Sequence, residues 1–332
     1  ATVGGTIAVT GASTLTGDVT ASGALTVTGA TTMNGNVTIG NATTDTLNGF
    51  LLTFPPGGRL TLTTAVPVTT ADVTGATTIY YTPHVGSLIS LYDGTDWIMY
   101  IFSEISLALG TLTSGLPYDV FIYDNAGTLT LESLAWTNAT TRATALARQN
   151  GILCKTGQLT RRYLGTFYTT STTATEDYYL KRFVWNYYNR VPRPMRAVDG
   201  TDTWTYTTAT LRQANGSTAN QLDFVIGVAE ELLNVEVMGA ARNGAANVAL
   251  TVSIGLDSTS ASATGTLIQF GTNPAANIWV GTRASLLTYP AVGRHFVAWL
   301  EWSEAANTST WAGDAGPVSV PTQLGISGSI NG

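Results

Sequence analysis

Apolar positions along this chain recur mostly at every second residue, in short runs bounded by Gly, Asn, Asp, Ser or Pro. A strand imposes that period, because successive side chains point to opposite faces of a sheet. Residues 59–63 (Arg-Leu-Thr-Leu-Thr) alternate cleanly. The runs 87–92 and 97–102 flank Asp93-Gly94-Thr95-Asp96, and Asp-Gly is a strong signal for a hairpin turn. A second hairpin is expected from 118–123 and 128–134 around Asp124-Asn125-Ala126-Gly127, and a further strand over 161–169. Downstream, strands are expected over 222–228, 234–238, 248–256, 266–270 and 294–302, joined by Gly/Ser/Asn/Thr turns. That spacing is typical of a β-sandwich or jelly roll. One stretch reads as a short helix, 141–150 (TRATALARQN), closed by Gly151. The aromatic, basic run 178–190 has no clear period, and Pro192 and Pro194 then predict a stiff extended linker.

The N-terminus follows a different rule. TIAVTGASTLTGDVTASG (6–23) and ALTVTGATTMNGNVTIGN (24–41) are two copies of an eighteen-residue unit, with Val9, Thr10, Gly11, Ala12, Thr14, Gly17, Val19 and Thr20 recurring unchanged. A damaged third copy begins near Asp45. The two units hold ten threonines, six glycines and a single charge, Asp18. Burial stabilises by roughly 25 cal/mol per Å² of apolar surface, while ordering each residue costs about 1–2 kcal/mol. The few Val, Ile and Leu in each unit fall short of that within one chain, and a single-chain solenoid needs roughly three or more repeats with caps. The expectation is therefore several identical chains winding together.

Composition sharpens the picture. Of the 332 residues only 11% are charged, and Thr, Gly, Ala and Val dominate, which fits an all-β protein with much surface hidden between chains. Breaks at Pro55-Pro56-Gly57-Gly58 and at the Pro192–Pro194 segment divide it into a repeat stem or anchor (1–49), a β-rich middle domain with a short helix (50–195) and a C-terminal β-sandwich or jelly-roll-like head (196–332). The net charge of −6 is uneven: 142–196 carries ten basic and two acidic residues, while the rest carries five basic and nineteen acidic. A single cysteine, Cys154, excludes an intrachain disulfide framework. The opening ATVGGTIAVT lacks the basic and apolar regions of a secretory signal, and no run of eighteen apolar residues is present, so membrane insertion is not expected.

The runs GILCKTGQLTRRYLGTFYTT (151–170), TEDYYLKRFVWNYYNRVPRPM (175–195) and GRHFVAWLEWSEAANTSTWAGDAG (293–316), with the closing GISGSING (325–332), resemble modules of tail-fibre and other virion-fibre proteins of tailed bacteriophages. The Thr/Gly repeat resembles the stems of the same proteins. The resemblance implies a homotrimer, a virion location, docking to other virion proteins through the N-terminus, and attachment to a host cell-surface glycan or protein. A capsid head fibre or decoration protein, and a polysaccharide-cleaving tailspike, are the alternatives.

Candidate chemistry is sparse. With His84 and His295 as its histidines, and no G-x-S-x-G elbow, the chain offers no nucleophilic triad. Lys155 and Lys181 follow Cys154 and Leu180, so no phosphate-binding Gly-Lys loop exists, and two histidines with one cysteine cannot make a zinc site. No cofactor is expected. The near copies Asp93-Gly-Thr-Asp96 and Asp199-Gly-Thr-Asp202 offer oxygen ligands for a hard cation, but hairpin turns explain them as well. Glu301 and Glu304 beside Trp299, Trp302 and Trp311 are the best carboxyl pair for glycoside chemistry. Trp299, Glu301, Trp302 and Trp311 equally suit a glycan-binding patch or plain core. Arg161, Arg162, Tyr163, Arg182, Trp185, Tyr187 and Tyr188 are expected at a trimer interface, where Arg and Tyr are enriched, in preference to a nucleic-acid face. The chain is read as non-enzymatic.

Overall fold

The computed structural model describes residues 55–314 and 322–332. The repeat, and with it the stem expected over 1–49, lies outside the described residues. The protein is all-β, as the alternating pattern predicts, with one three-residue 3-10 turn at Ala214–Gly216 among the described residues.

Two large sheets enclose the main core. The first runs Val73–Ala76, Thr175–Tyr178, Lys181–Arg182, Gln221–Ile226, Gly293–Ser303, Ala249–Leu256, Gly271–Thr272. The second runs Pro192–Val198, Gly325–Asn331, Leu233–Asn243, Val280–Thr288, Leu267–Gln269, with Ser309–Ala312 joining Leu233–Asn243 to Thr203–Thr205. Between them lie Leu222, Phe224, Val235, Val237, Val252, Ile254, Val297, Trp299 and Trp311, all buried. Leu233–Asn243 buries every second side chain, the signature of one dry face and one wet face. At Gly239 the sheets approach so closely that a Cβ would meet Val252 Cγ1 at 2.5 Å.

A second core sits under smaller sheets. The strands Gly58–Thr61, Thr78–Pro83 and Ile105–Ala108 form one sheet, and Leu88–Tyr92 pairs with Trp97–Ile101. A larger sheet runs Thr128–Ala135, Pro117–Asn125, Gln158–Tyr168, Ile152–Lys155, Leu146–Gln149. Leu60, Ile79, Ile89, Val120, Leu164 and Phe167 fill the space they share. A third cluster, Phe121, Leu153, Tyr163, Trp185 and Val225, couples this half to the first large sheet. Gly227 marks the junction, since a Cβ there would strike the Tyr163 hydroxyl and the Trp185 ring.

Both predicted hairpins form, with Leu88↔Ile101 and Tyr118↔Ala135 as outer pairs. The helix expected over 141–150 does not. Leu146–Gln149 is a strand paired with Ile152–Lys155, and Gln149 faces Ile152 across a two-residue turn. Asn150 and Gly151 hold φ of 51° and 86°, the mirror-image turn that Asn-Gly favours. Gly151 thus closes a hairpin, not a helix. The ambiguous 178–190 run resolves into the ends of short strands, Thr175–Tyr178, Lys181–Arg182 and Val184–Asn186. The expected linker at Pro192 and Pro194 is an edge strand, Pro192–Val198, paired along its length with Gly325–Asn331. An edge tolerates proline because one side of the strand needs no N–H donors. The division drawn at 195/196 falls inside this strand, and Val73–Ala76 and Thr175–Arg182 extend the first large sheet.

Candidate functional site

Glu301 is the residue of most chemical interest. On Gly293–Ser303, His295, Val297, Trp299 and Glu301 share one face, so alternation carries a carboxylate into the core beside two apolar neighbours. Glu301 is 0% exposed. Trp204 Nε1 donates to Oε2 at 2.6 Å, and Arg212 Nε donates to Oε1 at 2.7 Å. The Asn215 backbone N–H adds a third bond, at 3.2 Å. Burial pushes the carboxyl up to about 6, against the opposing pull of Trp204 and Arg212. Arg212 pairs in register with Glu301 across the sheet and lies over the Tyr206 ring at 3.9 Å. Trp204 meets Trp299 edge-on at 5.7 Å, and Trp311 Nε1 donates to Tyr206 O.

Such a carboxylate has donors on both oxygens and no open side. General acid catalysis needs the proton within reach of a substrate atom, and here the reach is filled by protein. Glu304, its expected partner, is exposed at the strand end and accepts from Ala249 N at 3.1 Å. Trp299 and Trp311 are wholly buried, so neither presents a ring face to a sugar; Trp302 is half-buried. The glycan contacts expected at Trp299, Glu301 and Trp311 are therefore core, because the alternation that set Trp299 and Glu301 together points both inward.

Three arginines of the basic stretch, Arg162, Arg182 and Arg193, are buried as well. Arg162 sends Nη1 to Ser90 O (2.6 Å) and Oγ (2.9 Å), and Nε to the Tyr188 hydroxyl (3.3 Å). Arg182 donates Nε to Pro194 O at 3.0 Å and faces Asp177 at 3.6 Å. Arg193 bonds Asp177 on its other oxygen and reaches Thr69 O at 2.8 Å. Burial raises Asp177 even so, with Arg193 and Arg182 pulling the other way. Arg59 donates to Pro67 O, Asn189 O and Gly332 O, and burial, with the Arg193 charge next, brings it down to about 10. A cavity of about 10 Å³ among Arg59, Thr69, Asp177, Asn186 and Arg193 has room for about one water.

A parallel network surrounds Asp119, which accepts from Arg142 Nε at 2.7 Å and from Thr166 Oγ1 at 2.7 Å. Tyr163 shares a 2.6 Å bond with Thr166, and Arg142 also reaches Gly227 O and stacks on Trp136. Of the residues expected at a trimer interface, Arg162, Tyr163, Arg182 and Trp185 are buried inside the chain itself. Their side chains are packed within the chain and present almost no surface to a partner. Arg161, Tyr187 and Tyr188 are half-buried. Arg161 lies over Tyr123 at 3.4 Å and pairs with Glu132, while Tyr187 packs edge-on against Tyr188.

Of the aspartate turns, Asp93 accepts from Thr95 N and Asp96 N and so closes its hairpin unaided. Asp199 accepts from Thr201 N and from the side chains of Asn215 and Asn220, all donors. Among the described residues no three His, Cys, Asp or Glu side chains converge as a metal site would require. His295 lies between two acceptors, Asp257 Oδ2 at 2.7 Å and Ala291 O at 2.9 Å. Burial would raise Asp257, but the bonds from His295 and Phe296 N outweigh it and leave this carboxyl below its ordinary value.

The outward-facing features are ones the alternation did not single out as sites. Leu267, Ile268, Phe270, Leu287 and Tyr289 are exposed on one flank of the second large sheet. Val85, Leu88, Met99 and Ile101 are exposed around the Leu88–Tyr92/Trp97–Ile101 hairpin. The signal was present in the sequence as apolar residues on both faces of one short strand, a pattern that an ordinary half-wet strand lacks.

No protein-family model matches the chain, and no curated protein matches it. Among solved structures, the insecticidal delta-endotoxin Cry8Ea1 from Bacillus thuringiensis is similar at 7% identity and a TM-score of 0.24, over 83% of this chain and 52% of that one. The chain thus spans about half the length of that protein.

Proposed function

We propose that this chain is a structural, non-enzymatic fibre subunit of a bacteriophage virion, assembled as a homotrimer. In this reading residues 1–49 supply the intertwined stem and dock other virion proteins, 50–195 stabilise the trimer, and 196–332 form the outward head. Attachment to a host-surface glycan or protein, as a tail fibre, is the role. The observation that carries it is the division of labour among side chains. Groups capable of chemistry, Glu301, Asp119, Asp177 and their arginines, are closed into interior networks, while uncharged apolar surface is displayed outside. That is the economy of a scaffold, and the Thr/Gly repeat asks for companion chains. Sedimentation of the full chain at micromolar concentration should give three times the chain mass. A compact single-copy species would overturn the reading.

A second reading, a capsid-mounted head fibre, gains from the burial of Trp299 and Trp311, because receptor attachment loses the rings first assigned to it. Imaging of labelled subunits on intact particles separates the two. Density at the tail supports attachment, and density on the capsid supports the head fibre.

A further inference from the structure

In an Asn-Gly pair the glycine nitrogen can reach the asparagine Cγ, because glycine has no side chain to shield it and turns freely. Four such pairs lie among the described residues: Asn150-Gly151, Asn215-Gly216, Asn243-Gly244 and Asn331-Gly332; Asn34-Gly35 and Asn48-Gly49 lie outside them. The four differ in which atoms of the side-chain amide are engaged. Acceptors on the amide nitrogen feed electron density toward the carbonyl carbon and hold the group in place. Donors on the oxygen do the reverse, and they stabilise the negative charge that an attack on the carbon places there.

Three of the pairs are restrained. Asn243 is fully buried, its Nδ2 donates to Ala306 O and Ser309 Oγ, both at 2.7 Å, and the Gly244 N–H is taken by Thr308 O at 3.0 Å. Asn331 Nδ2 donates to Glu231 at 2.7 Å, and the Gly332 N–H to Val191 O at 3.0 Å. Asn215 Nδ2 donates to both oxygens of Asp199 and to Thr201 Oγ1. Asn150 is the inverse case. It is exposed, and its Oδ1 accepts from Gln149 Nε2 at 2.9 Å and from Trp97 Nε1 at 3.2 Å, while its Nδ2 meets no acceptor among the described residues. Gly151 sits in the two-residue turn between Gln149 and Ile152, outside the strand ladder, and a Cβ built on it would meet nothing within 4 Å. Arg148 Nη1 donates to Gly151 O at 2.7 Å, so a positive charge stands beside the nitrogen that must lose its proton to attack.

We propose that Asn150 is a self-modification site, converted without an enzyme to aspartyl and isoaspartyl forms while Asn215, Asn243 and Asn331 stay intact in the folded chain. The Gly151 nitrogen gives its proton to solvent and bonds to Asn150 Cγ. The Cγ–Nδ2 bond breaks, and Nδ2 takes up a proton and leaves as ammonia. The cyclic imide so formed then takes up one water. Opening at the side-chain carbonyl restores the ordinary backbone with a carboxylate in place of the amide. Opening at the main-chain carbonyl leaves the backbone running through Cβ and Cγ, which is the isoaspartyl form. Both products set a new negative charge at the tip of the hairpin, beside Arg148. The isoaspartyl form also adds a backbone atom to a two-residue turn, so Gln149 and Ile152 lose their register and the outer strand Leu146–Gln149 loosens.

The test is to age the full chain at mildly alkaline pH, once folded and once in urea, and to map its peptides by mass spectrometry with aspartyl and isoaspartyl forms separated. In the folded chain the peptide spanning 149–152 should gain the mass of an NH2-to-OH exchange at least about tenfold faster than the other three pairs, with both forms present. In urea the other three should draw level, since the contacts that hold their amides are gone. Asn150→Gln keeps an amide but needs a larger ring, and should leave that peptide unmodified. A folded chain that modifies Asn215, Asn243 or Asn331 as fast as Asn150 would overturn the proposal, as would an Asn150 that reacts only in urea. An aspartyl product with no isoaspartyl form would mean direct hydrolysis, and would overturn the cyclisation.

Discussion

Two buried carboxylates show how differently the halves of this protein are built. Asp177 lies in a polar seam with Arg182 and Arg193 on its two oxygens and Arg59 close by. Glu301 lies among tryptophans, with one half-exposed arginine, one indole N–H and one backbone N–H. In the first place charge neutralises charge, and Arg182 and Arg193 of the basic segment are satisfied inside the fold by a carboxylate and by backbone carbonyls. In the second, an apolar core tolerates one ionised group because a single arginine and two N–H dipoles meet it. A charge-rich segment is thus no guide to a charged surface.

The comparison breaks first at Arg193. Arg193→Ala leaves Asp177 buried with Arg182 at 3.6 Å as its remaining ion partner, and should cost about 3–5 kcal/mol of unfolding free energy in urea titrations. A loss under 1 kcal/mol would show that the seam is wetter than its burial implies. Trp204→Phe keeps the ring packed on Trp299 but removes a bond to a charged acceptor, so about 1.5–3 kcal/mol should go. Equal stability would mean that Glu301 is already protonated there.

Acidity sharpens the contrast further. Glu301 is raised from 4.5 to about 6, so between those values the folded state holds the extra proton and stability falls as pH rises. The fall should total about 2 kcal/mol, at 1.36 kcal/mol per unit. Glu301→Gln should flatten that segment of the stability profile, and an unchanged slope would reassign it. Asp257 runs the other way: being depressed, it stabilises above its unfolded value, and this is lost as pH falls through its folded one. The smallest effect is expected at Arg196→Ala, an exposed cation over Tyr179 at 5.7 Å, worth at most about 1 kcal/mol.

Much of the fold was legible because strand periodicity is a local property. The Asp93-Gly94 and Asp124–Gly127 hairpins and the alternation of Gly293–Ser303 need only neighbouring residues to be read. Asn150-Gly151 is just as local a signal, and it prevails: Arg142, Ala145 and Arg148 suit a helix, but the turn chemistry of Asn-Gly outweighs weak propensity. The seam at Asp177 could not be read at all. Arg193 lies 16 residues from Asp177 and 124 from Thr69, and such meetings follow from sheet order.

By itself, the sequence determined that the chain is all-β, where most strands run, and which face of each strand is apolar, since these follow from side-chain alternation over a few residues. Only the tertiary structure decided which apolar faces are covered. Trp299 and Trp311 are sealed between the two large sheets, Arg162 is drawn inward by Ser90, 72 residues away, and Leu267 and Ile101 are left bare. Burial depends on what packs above a residue, and that is settled by contacts between segments hundreds of positions apart or fewer, whose pairing no local pattern encodes.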